Sequence, residues 1–332
     1  MNRDISSINV KEGRLYFRGH DATTLARQGS YEGVLHLLVK GRLPSAAQMT
    51  IVRNEMQRVK NSKGGNAAAL GAGAATGTEG LKALAAGLED DGDRLYHSLL
   101  SFITLAPAIV CNSWRGKNGL APVPPIPELG HAASLLRMMD IKPMQGVDRQ
   151  FETCLILHMD DPDNPSLTAL REAIASGRSC SEVIQSALEE HAKPLHHGAG
   201  FEAYRMLVDL MKSGDVPAGM KARIERGERV FGLGHRIYRT IDPRAIVLRD
   251  ILLERARGTE HEQLLETIEV VAQQGAELLS RSKGRQFFPN VDLYNAAVYT
   301  TFGLPPEFNT DLFAVSRVSG WMAHILEMKQ KN

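Results

Sequence analysis

The stretch Gly232-Leu-Gly-His-Arg-Ile-Tyr-Arg-Thr-Ile-Asp-Pro-Arg244 is the most informative part of this sequence. It places His235 and several arginines beside two glycines, which let the backbone pass close to a bound ligand. Guanidinium groups suit carboxylates and phosphates. The stretch therefore predicts a site that holds an anionic substrate beside a proton-transfer group. A solvated surface turn is the simpler interpretation of Gly-His-Arg alone, but the Asp-Pro-Arg that follows makes it less favoured.

Two other polar segments supply further candidate groups. In Pro194-Leu-His-His-Gly-Ala-Gly200, His196 precedes a predicted helix, whose dipole favours a neutral imidazole. In Phe288-Pro-Asn-Val-Asp292, the aspartate lies between apolar residues, and burial raises a carboxyl pKa and makes it a better base for carbon acids. The alternatives are a structural histidine and helix N-capping by Asn290 or Asp292.

Length and composition indicate a soluble globular protein of one or two domains. The chain has 332 residues, a net charge of +1 and 43% hydrophobic residues. No basic run interleaved with aromatic residues is present, so we expect no nucleic-acid partner. No apolar run is typical of a membrane span or a signal peptide, so we expect no membrane partner. Single cysteines without a CxxC pair favour a reduced compartment, the cytoplasm; these are Cys111, Cys154 and Cys180.

Helical periodicity dominates the chain and predicts an all-α fold. Apolar residues recur at three- and four-residue intervals over 31–40, 95–110, 183–191, 201–211 and 262–279. The one strand candidate is 13–18. The Gly/Ala-rich stretch 63–80 is predicted to be a weak helix or a mobile loop, and it lacks the Gly-Lys-Ser/Thr ending of a phosphate-binding loop. The adjacent histidines are poor chelators of one ion, so no metal site is expected.

The motifs together resemble the citrate synthase family. Pro-Leu-His196, Gly-His235-Arg, Asp-Pro-Arg244 and Pro-Asn-Val-Asp292 occur in that family's order and roughly its spacing. The similarity extends to both ends, over 12–19, 41–44 and 314–324. It implies an all-α homodimer with a large helical domain, 1–199 and 298–332, and a smaller one, 200–297.

The resemblance also implies a function: an acyltransferase that condenses an acyl-CoA, acetyl-CoA or propionyl-CoA, with a 2-oxo acid such as oxaloacetate and then hydrolyses the thioester. Asp292 would remove the α-proton, His196 would stabilise the enolate, and His235 would polarise the ketone. The implied substrate-binding residues are Arg244, Arg317, Asp161 and Asn164. The residues that would face coenzyme A are Gly232, Gly234, Arg239 and Arg115. No metal or permanently bound cofactor is implied, since the thioester of the co-substrate activates the carbon.

Some positions depart from the family pattern. Asp161 replaces a histidine that contacts the oxo acid, and a carboxylate there repels a dianion. The His-Pro-Met segment is missing, and the stretch ending at Gly80 takes its place. The chain ends at Asn332, before the arm that lends an arginine to the partner subunit. These departures predict an electrophile other than oxaloacetate, with less negative charge. Since they concern only a few positions, citrate or 2-methylcitrate synthesis stays the best-supported specific function that the resemblance implies.

Two other functions stay open on the sequence. One is a non-catalytic family member that binds CoA, and the other is a citryl-CoA type lyase that runs the reverse cleavage. The apolar helices around 95–110 and 312–326 are the candidate dimer surface.

Overall fold

The computed structural model describes residues 4–90, 92–193, 198–235, 237–238 and 240–329. Helices dominate this part of the chain, which confirms the all-α prediction. The three strands are β1 (Ser6–Asn9), β2 (Arg14–Phe17) and β3 (His20–Asp21), in the order β1-β2-β3. The helices are α1 (Ala22–Gln28), α2 (Tyr31–Lys40), α3 (Ala46–Ala72), α4 (Gly77–Ala85), α5 (Gly92–Lys117), α6 (His131–Met138), α7 (Val147–Leu157), α8 (Pro165–Ala175), α9 (Cys180–His191), α10 (Ala199–Ser213), α11 (Val216–Glu225), α12 (Pro243–Ala256), α13 (Glu262–Val270), α14 (Ala276–Lys283), α15 (Val291–Thr301) and α16 (Asn309–Lys329), with a π-helical segment at Val271–Gly275 and a 3-10 turn at Pro306–Phe308.

The chain divides into two compact units. Unit 1 consists of Met1–Ser7, Tyr16–Lys193 and Asp311–Asn332, and unit 2 of Ile8–Leu15 and Pro194–Thr310. In unit 1, α3 packs along α5, and α8 packs on α9. In unit 2, α15 is the central helix and packs against α10 and α12. Each unit therefore has a helical core of its own.

The Gly/Ala-rich stretch is mostly helical, so of the two predicted alternatives the helix is confirmed and the mobile loop is wrong. It continues α3 to Ala72, breaks for four residues, and resumes as α4. The small residues serve packing: a Cβ on Gly71 would lie 2.6 Å from the carbonyl oxygen of Ile109 on α5. A Cβ on Gly116 would lie 2.4 Å from the oxygen of Ala72. Glycine here permits a close approach of two helices.

The apolar residues of α5 belong to the core of unit 1. Arg94–Lys117 is long and apolar enough to cross a membrane by length and composition, but 78% of its apolar window is buried inside the protein. The apolar residues of α16 are buried in the same way, Trp321 among them. The apolar pattern of these two helices is therefore explained by the core and does not itself indicate a dimer surface.

Most of the other predicted elements are confirmed. The strand candidate contains β2, and the 31–40 helix has the predicted bounds. The helix predicted after the Pro-Leu-His segment begins at Ala199. The periodic stretch 262–279 is interrupted by the π-helical segment, which hydrophobic spacing does not reveal.

Candidate active site

The glycine-flanked segment of unit 2 pairs with the segment that leads into α15. The amide of Gly234 donates to the carbonyl oxygen of Phe288 at 2.6 Å, and that of Asn290 donates to Gly232 at 3.0 Å. The Asn290 side chain donates to the Gly234 oxygen at 2.7 Å, while its own carbonyl oxygen caps α15 by accepting from the amide of Asp292. Asn290 therefore fixes the histidine segment and the aspartate segment to each other.

Both glycines of the segment are required by their geometry. Gly232 and Gly234 have φ values of 78° and 89°, in the left-handed region that favours glycine. A Cβ on Gly232 would lie 2.8 Å from the Cα of Leu293. A Cβ on Gly234 would lie 2.8 Å from the Phe287 ring. The two residues therefore allow the histidine segment to lie directly against the start of α15.

The His235 ring has a defined tautomer. Its Nδ1 accepts hydrogen bonds from the amides of Ile237 and Tyr238, at 3.1 and 3.3 Å. A nitrogen that accepts two N–H groups carries no proton, so the proton of the neutral ring is on Nε2. Nε2 lies 3.9 Å from the Asp242 carboxylate. His235 thus offers an N–H donor from Nε2.

Arg244 is held by Asp242 in a two-pronged ion pair. The Arg244 Nε and Nη2 atoms donate to the two carboxylate oxygens of Asp242 at 3.1 and 2.9 Å, and both residues are buried. Asp242 also caps α12 by accepting the amide of Arg244. A bidentate pair fixes the plane of the guanidinium. Arg244 is therefore presented in one orientation at the start of α12.

Asp292 is the second residue of α15, and burial raises the pKa of its carboxyl group to about 6. The Arg244 guanidinium opposes this rise, the Asp242 carboxylate adds to it, and Arg229 opposes it again. The side chain keeps part of its surface exposed. A carboxyl group of this pKa is ionised at neutral pH and is a stronger base than an ordinary aspartate.

A cavity of about 650 Å³ adjoins this cluster within unit 2. Its lining includes Gly234, His235, Tyr238, Arg285 and Phe288. The Arg285 guanidinium lies 4.6 Å from the centre of the Phe287 ring. The volume of this cavity is in the range of cavities that hold small molecules.

The other candidate substrate residues lie in unit 1. Arg317 is on α16 and is 1% exposed. Asp161 is buried in the turn between α7 and α8, where its carboxylate accepts the amide of Asp163 at 3.2 Å. Asn164 is the N-cap of α8 and accepts the amide and hydroxyl of Ser166. Asp161 and Asn164 thus also stabilise the local backbone.

Asp160, next to Asp161, is the centre of a buried network. Its Oδ2 accepts from the Ser6 hydroxyl at 2.5 Å and lies 3.0 Å from Nε2 of His324. Burial acts to raise the Asp160 pKa, but His324, Ser6 and the Arg317 charge outweigh it and lower the pKa. The ionised Asp160 therefore ties the strand β1 and the helix α16 to this turn.

The described hydrogen bonds of the Arg115 side chain are all to the segment 121–140. It donates to the carbonyl oxygens of Ala121 and Met138 and to the carboxylate of Asp140, at 2.7, 3.0 and 2.6 Å. These contacts anchor the end of α5, and a contact with coenzyme A stays a prediction. His196 and Arg239 lie outside the described residues.

Three functional candidates were missed in the sequence. Asp242 was recognised only as a charge, although its position two residues before Arg244 permits the clamp. Arg285 had a weak signal, a basic Lys-Gly-Arg triplet just before the Phe-Phe pair. Asn290 was considered only as a cap. Within the described ranges, no three His, Cys, Asp or Glu side chains are grouped to hold a metal ion.

The chain is similar to proteins of one family over its whole length. A family model described as citrate synthase, C-terminal domain, matches residues 1–332. The citrate synthase of Haloferax volcanii is 31% identical over 347 residues, which cover 99% of this chain and 89% of that protein. The citrate/2-methylcitrate synthase of Bacillus subtilis is 27% identical, with 99% and 90% covered. The crystal structure of citrate synthase from Pyrobaculum aerophilum superposes with a TM-score of 0.86 at 27% identity and covers 100% of this chain and 87% of that one.

Proposed function

This chain belongs to the citrate synthase family of transferases, and we propose that it condenses acetyl-CoA with oxaloacetate and then hydrolyses the thioester, so that citrate and coenzyme A leave. Propionyl-CoA is the second acyl donor to test, because one relative is named citrate/2-methylcitrate synthase. The observation that carries the proposal is the geometry of unit 2. An aspartate with a pKa of about 6 and a histidine with its proton on Nε2 lie on paired segments.

The first step is removal of a proton from the α-carbon of the acyl-CoA by the ionised Asp292. The enolate oxygen needs a hydrogen-bond donor, and the family resemblance assigns this role to His196. The enolate carbon then attacks the ketone carbon of the oxo acid, and the electron pair of the C=O bond moves to its oxygen. His235 gives its Nε2 proton to that oxygen, and the proton that Asp292 removed returns to His235 through solvent water. Water finally cleaves the thioester and releases the thiol.

Binding of the substrates follows the charges of the candidate residues. Arg244, whose guanidinium plane is fixed by Asp242, is the first candidate for a carboxylate of the oxo acid. Arg317 of unit 1 is the second candidate for such a carboxylate. The cavity lined by Gly234 and Arg285 is the candidate for part of coenzyme A, since a guanidinium suits a phosphate.

Asp161 is the position at which this chain departs from the family pattern for the oxo acid. Its carboxylate has a partner in the amide of Asp163, next to the start of α8, where a negative charge is stabilised. Because the Asp161 charge is already stabilised within its own turn, it does not exclude a dianionic substrate, and oxaloacetate is the first oxo acid to test. If instead the Asp161 charge repels the dianion, Asp161→His raises kcat/KM for oxaloacetate more than for pyruvate. Equal effects on both oxo acids assign Asp161 to the turn alone.

The assay follows thiol release with a disulfide reagent at fixed acetyl-CoA and varied oxo acid. The chain's own thiols do not interfere, because all the described cysteines are buried and burial raises the pKa of Cys180 to about 12. Oxaloacetate-dependent release supports the proposal. Release that does not depend on any oxo acid contradicts it.

Homodimer formation and a cytoplasmic location are further parts of this proposal. The family resemblance supports the dimer, and free buried cysteines support a reducing compartment. Light scattering at micromolar concentration measures the mass: twice 36.4 kDa supports the dimer, and a mass of 36.4 kDa contradicts it.

A further inference from the structure

Unit 2 contains a second cavity, of about 550 Å³, that the proposed reaction does not use. It lies between α12, the π-helical segment, α14 and the segment 286–289. Neither His235 nor Asp292 lines it. It shares Gln286, Phe287 and Phe288 with the cavity beside His235, so this short segment separates the two spaces.

Tyr294 gives this cavity an unused polar group. The Tyr294 side chain lines the cavity and is 2% exposed. No described residue forms a hydrogen bond with its hydroxyl group. Burial raises the pKa of this hydroxyl, with the Glu269 charge acting in the same direction, so the group is neutral at physiological pH. The ring is buried while the hydroxyl group lies at the cavity wall, so it can hydrogen-bond a molecule inside the cavity.

The rest of the wall suits a flat apolar body. Ala245, Ala272 and Ala276 leave room, while Phe288 and Pro289 present apolar surfaces. The volume is that of a small-molecule site. The wall also includes part of the π-helical segment, a rare distortion that is frequent at functional sites.

The charged groups at this cavity neutralise one another. Arg249 of α12 makes a two-pronged ion pair with Glu269 of α13, with Nε and Oε1 at 2.8 Å. Glu277 is paired with Arg281, four residues along the same helix. Because each charge already has a partner of opposite sign, the cavity favours an uncharged ligand over a phosphate or a carboxylate.

We propose that this cavity is a binding site for a small uncharged aromatic molecule with a polar atom that hydrogen-bonds the Tyr294 hydroxyl. Such a ligand contacts Phe288 and Pro289. The oxygens of these two residues accept the amides of Gly234 and Asp242, at 2.6 and 3.3 Å. Occupancy therefore acts on the segment that positions His235, and this regulatory half of the proposal rests on the proposed function.

Indole is a suitable probe, since it is flat, uncharged and has one N–H donor. Calorimetry on the full chain measures its Kd in the wild type and in three variants. Tyr294→Phe keeps the ring and removes the hydroxyl, and we expect Kd to rise about fivefold. Ala272→Trp fills the cavity and is expected to abolish binding. Gln274→Trp, its matched control, places the same side chain at an exposed position outside the lining and should leave Kd unchanged.

Three results would overturn the site: no binding of indole at millimolar concentration, Kd unchanged in folded Tyr294→Phe, or displacement of indole by coenzyme A. The last would make the cavity part of the coenzyme A site. The Tyr294→Phe comparison decides the matter even if Ala272→Trp does not fold. For the regulatory half, saturating indole should change KM at least twofold in the wild type and not in Ala272→Trp. Binding without such a change overturns only that half, and neither binding result depends on the reaction.

Discussion

Asp292 combines a position at the start of α15 with a pKa of about 6, and this predicts a pH dependence. Only the ionised carboxylate accepts the α-proton, so kcat/KM should fall about tenfold per pH unit below about pH 6. Rates of thiol release between pH 5 and pH 8 measure this limb. An acid limb centred near 4, the range of an ordinary aspartate, would show that burial does not tune this group.

The Asp292→Asn variant should lose activity and gain stability. Removing the base is expected to lower kcat by about 10²–10⁴-fold. The folded-state pKa of about 6 lies above the ordinary value of 3.8, so the ionised form destabilises the folded protein. This cost is absent below pH 3.8, develops as pH rises from 3.8 to 6, and is complete above 6.

Thermal unfolding of wild type and Asp292→Asn at pH 8 and at pH 4 tests the second part. A gain of about 1–3 kcal/mol is expected at pH 8 and a much smaller one at pH 4. A gain that is equal at both pH values would assign the effect to packing instead of charge.

The chemical properties of single residues were easier to predict from the sequence than the hydrogen bonds that they make. Asp292 between apolar residues predicted a raised pKa, and the structure bears this out. The tautomer of His235 was not predictable, because it depends on the path of the chain through Ile237 and Tyr238. The ion pair between Asp242 and Arg244 forms because α12 begins at Pro243, and the sequence alone did not predict that helix start.

At the scale of elements, α3 contains two glycines with opposite roles. Gly71 faces α5, and a Cβ there would lie 2.6 Å from a backbone oxygen. Gly65 has nothing within 4 Å of its Cβ position. We expect Gly71→Ala to lower the melting temperature and Gly65→Ala to raise it, the latter by about 0.5–1 kcal/mol of stability from helix propensity. Calorimetry measures both melting temperatures. Equal changes for Gly71→Ala and Gly65→Ala would contradict the close contact of α3 with α5 at Gly71.

The turn after α7 depends on Asp160. Because its pKa is lowered in the folded state, its ionised form stabilises the protein above the ordinary pKa of 3.8, and this stability is lost as pH falls below that value. Asp160→Asn keeps the shape but removes the charge beside His324, so we expect a loss of about 3–5 kcal/mol at pH 7. Denaturant unfolding measures it; an unchanged midpoint would contradict a structural role for the network.

Element types were mostly predictable from the sequence because apolar spacing is a local property. For the stretch 63–80 the sequence left a weak helix and a mobile loop open, because glycine propensity does not report the packing against α5 that holds the stretch helical. The π-helical segment was not predicted, because one extra residue in a helical turn hardly changes the spacing of the apolar residues. Glycine composition alone does not distinguish a loop from a close helix contact.

At the scale of the whole molecule, the candidate residues are distributed over both compact units. Unit 2 holds His235, Asp292 and Arg244, and unit 1 holds Arg317 and Asp161. The family match spans all 332 residues, so both sets belong to one family pattern. The sequence motifs predicted the family and the reaction class, while the departure at Asp161 left the oxo acid to be decided by experiment.

The most direct test of the central claim is oxaloacetate-dependent thiol release from acetyl-CoA by the wild type and by Asp292→Asn under identical conditions. Mass spectrometry of the product shows whether the new carbon–carbon bond gives citrate. We predict citrate and free coenzyme A in equal amounts from the wild type, and a rate at least about 10²-fold lower from folded Asp292→Asn. Thiol release at the same rate by both proteins, or release without citrate, would contradict the account.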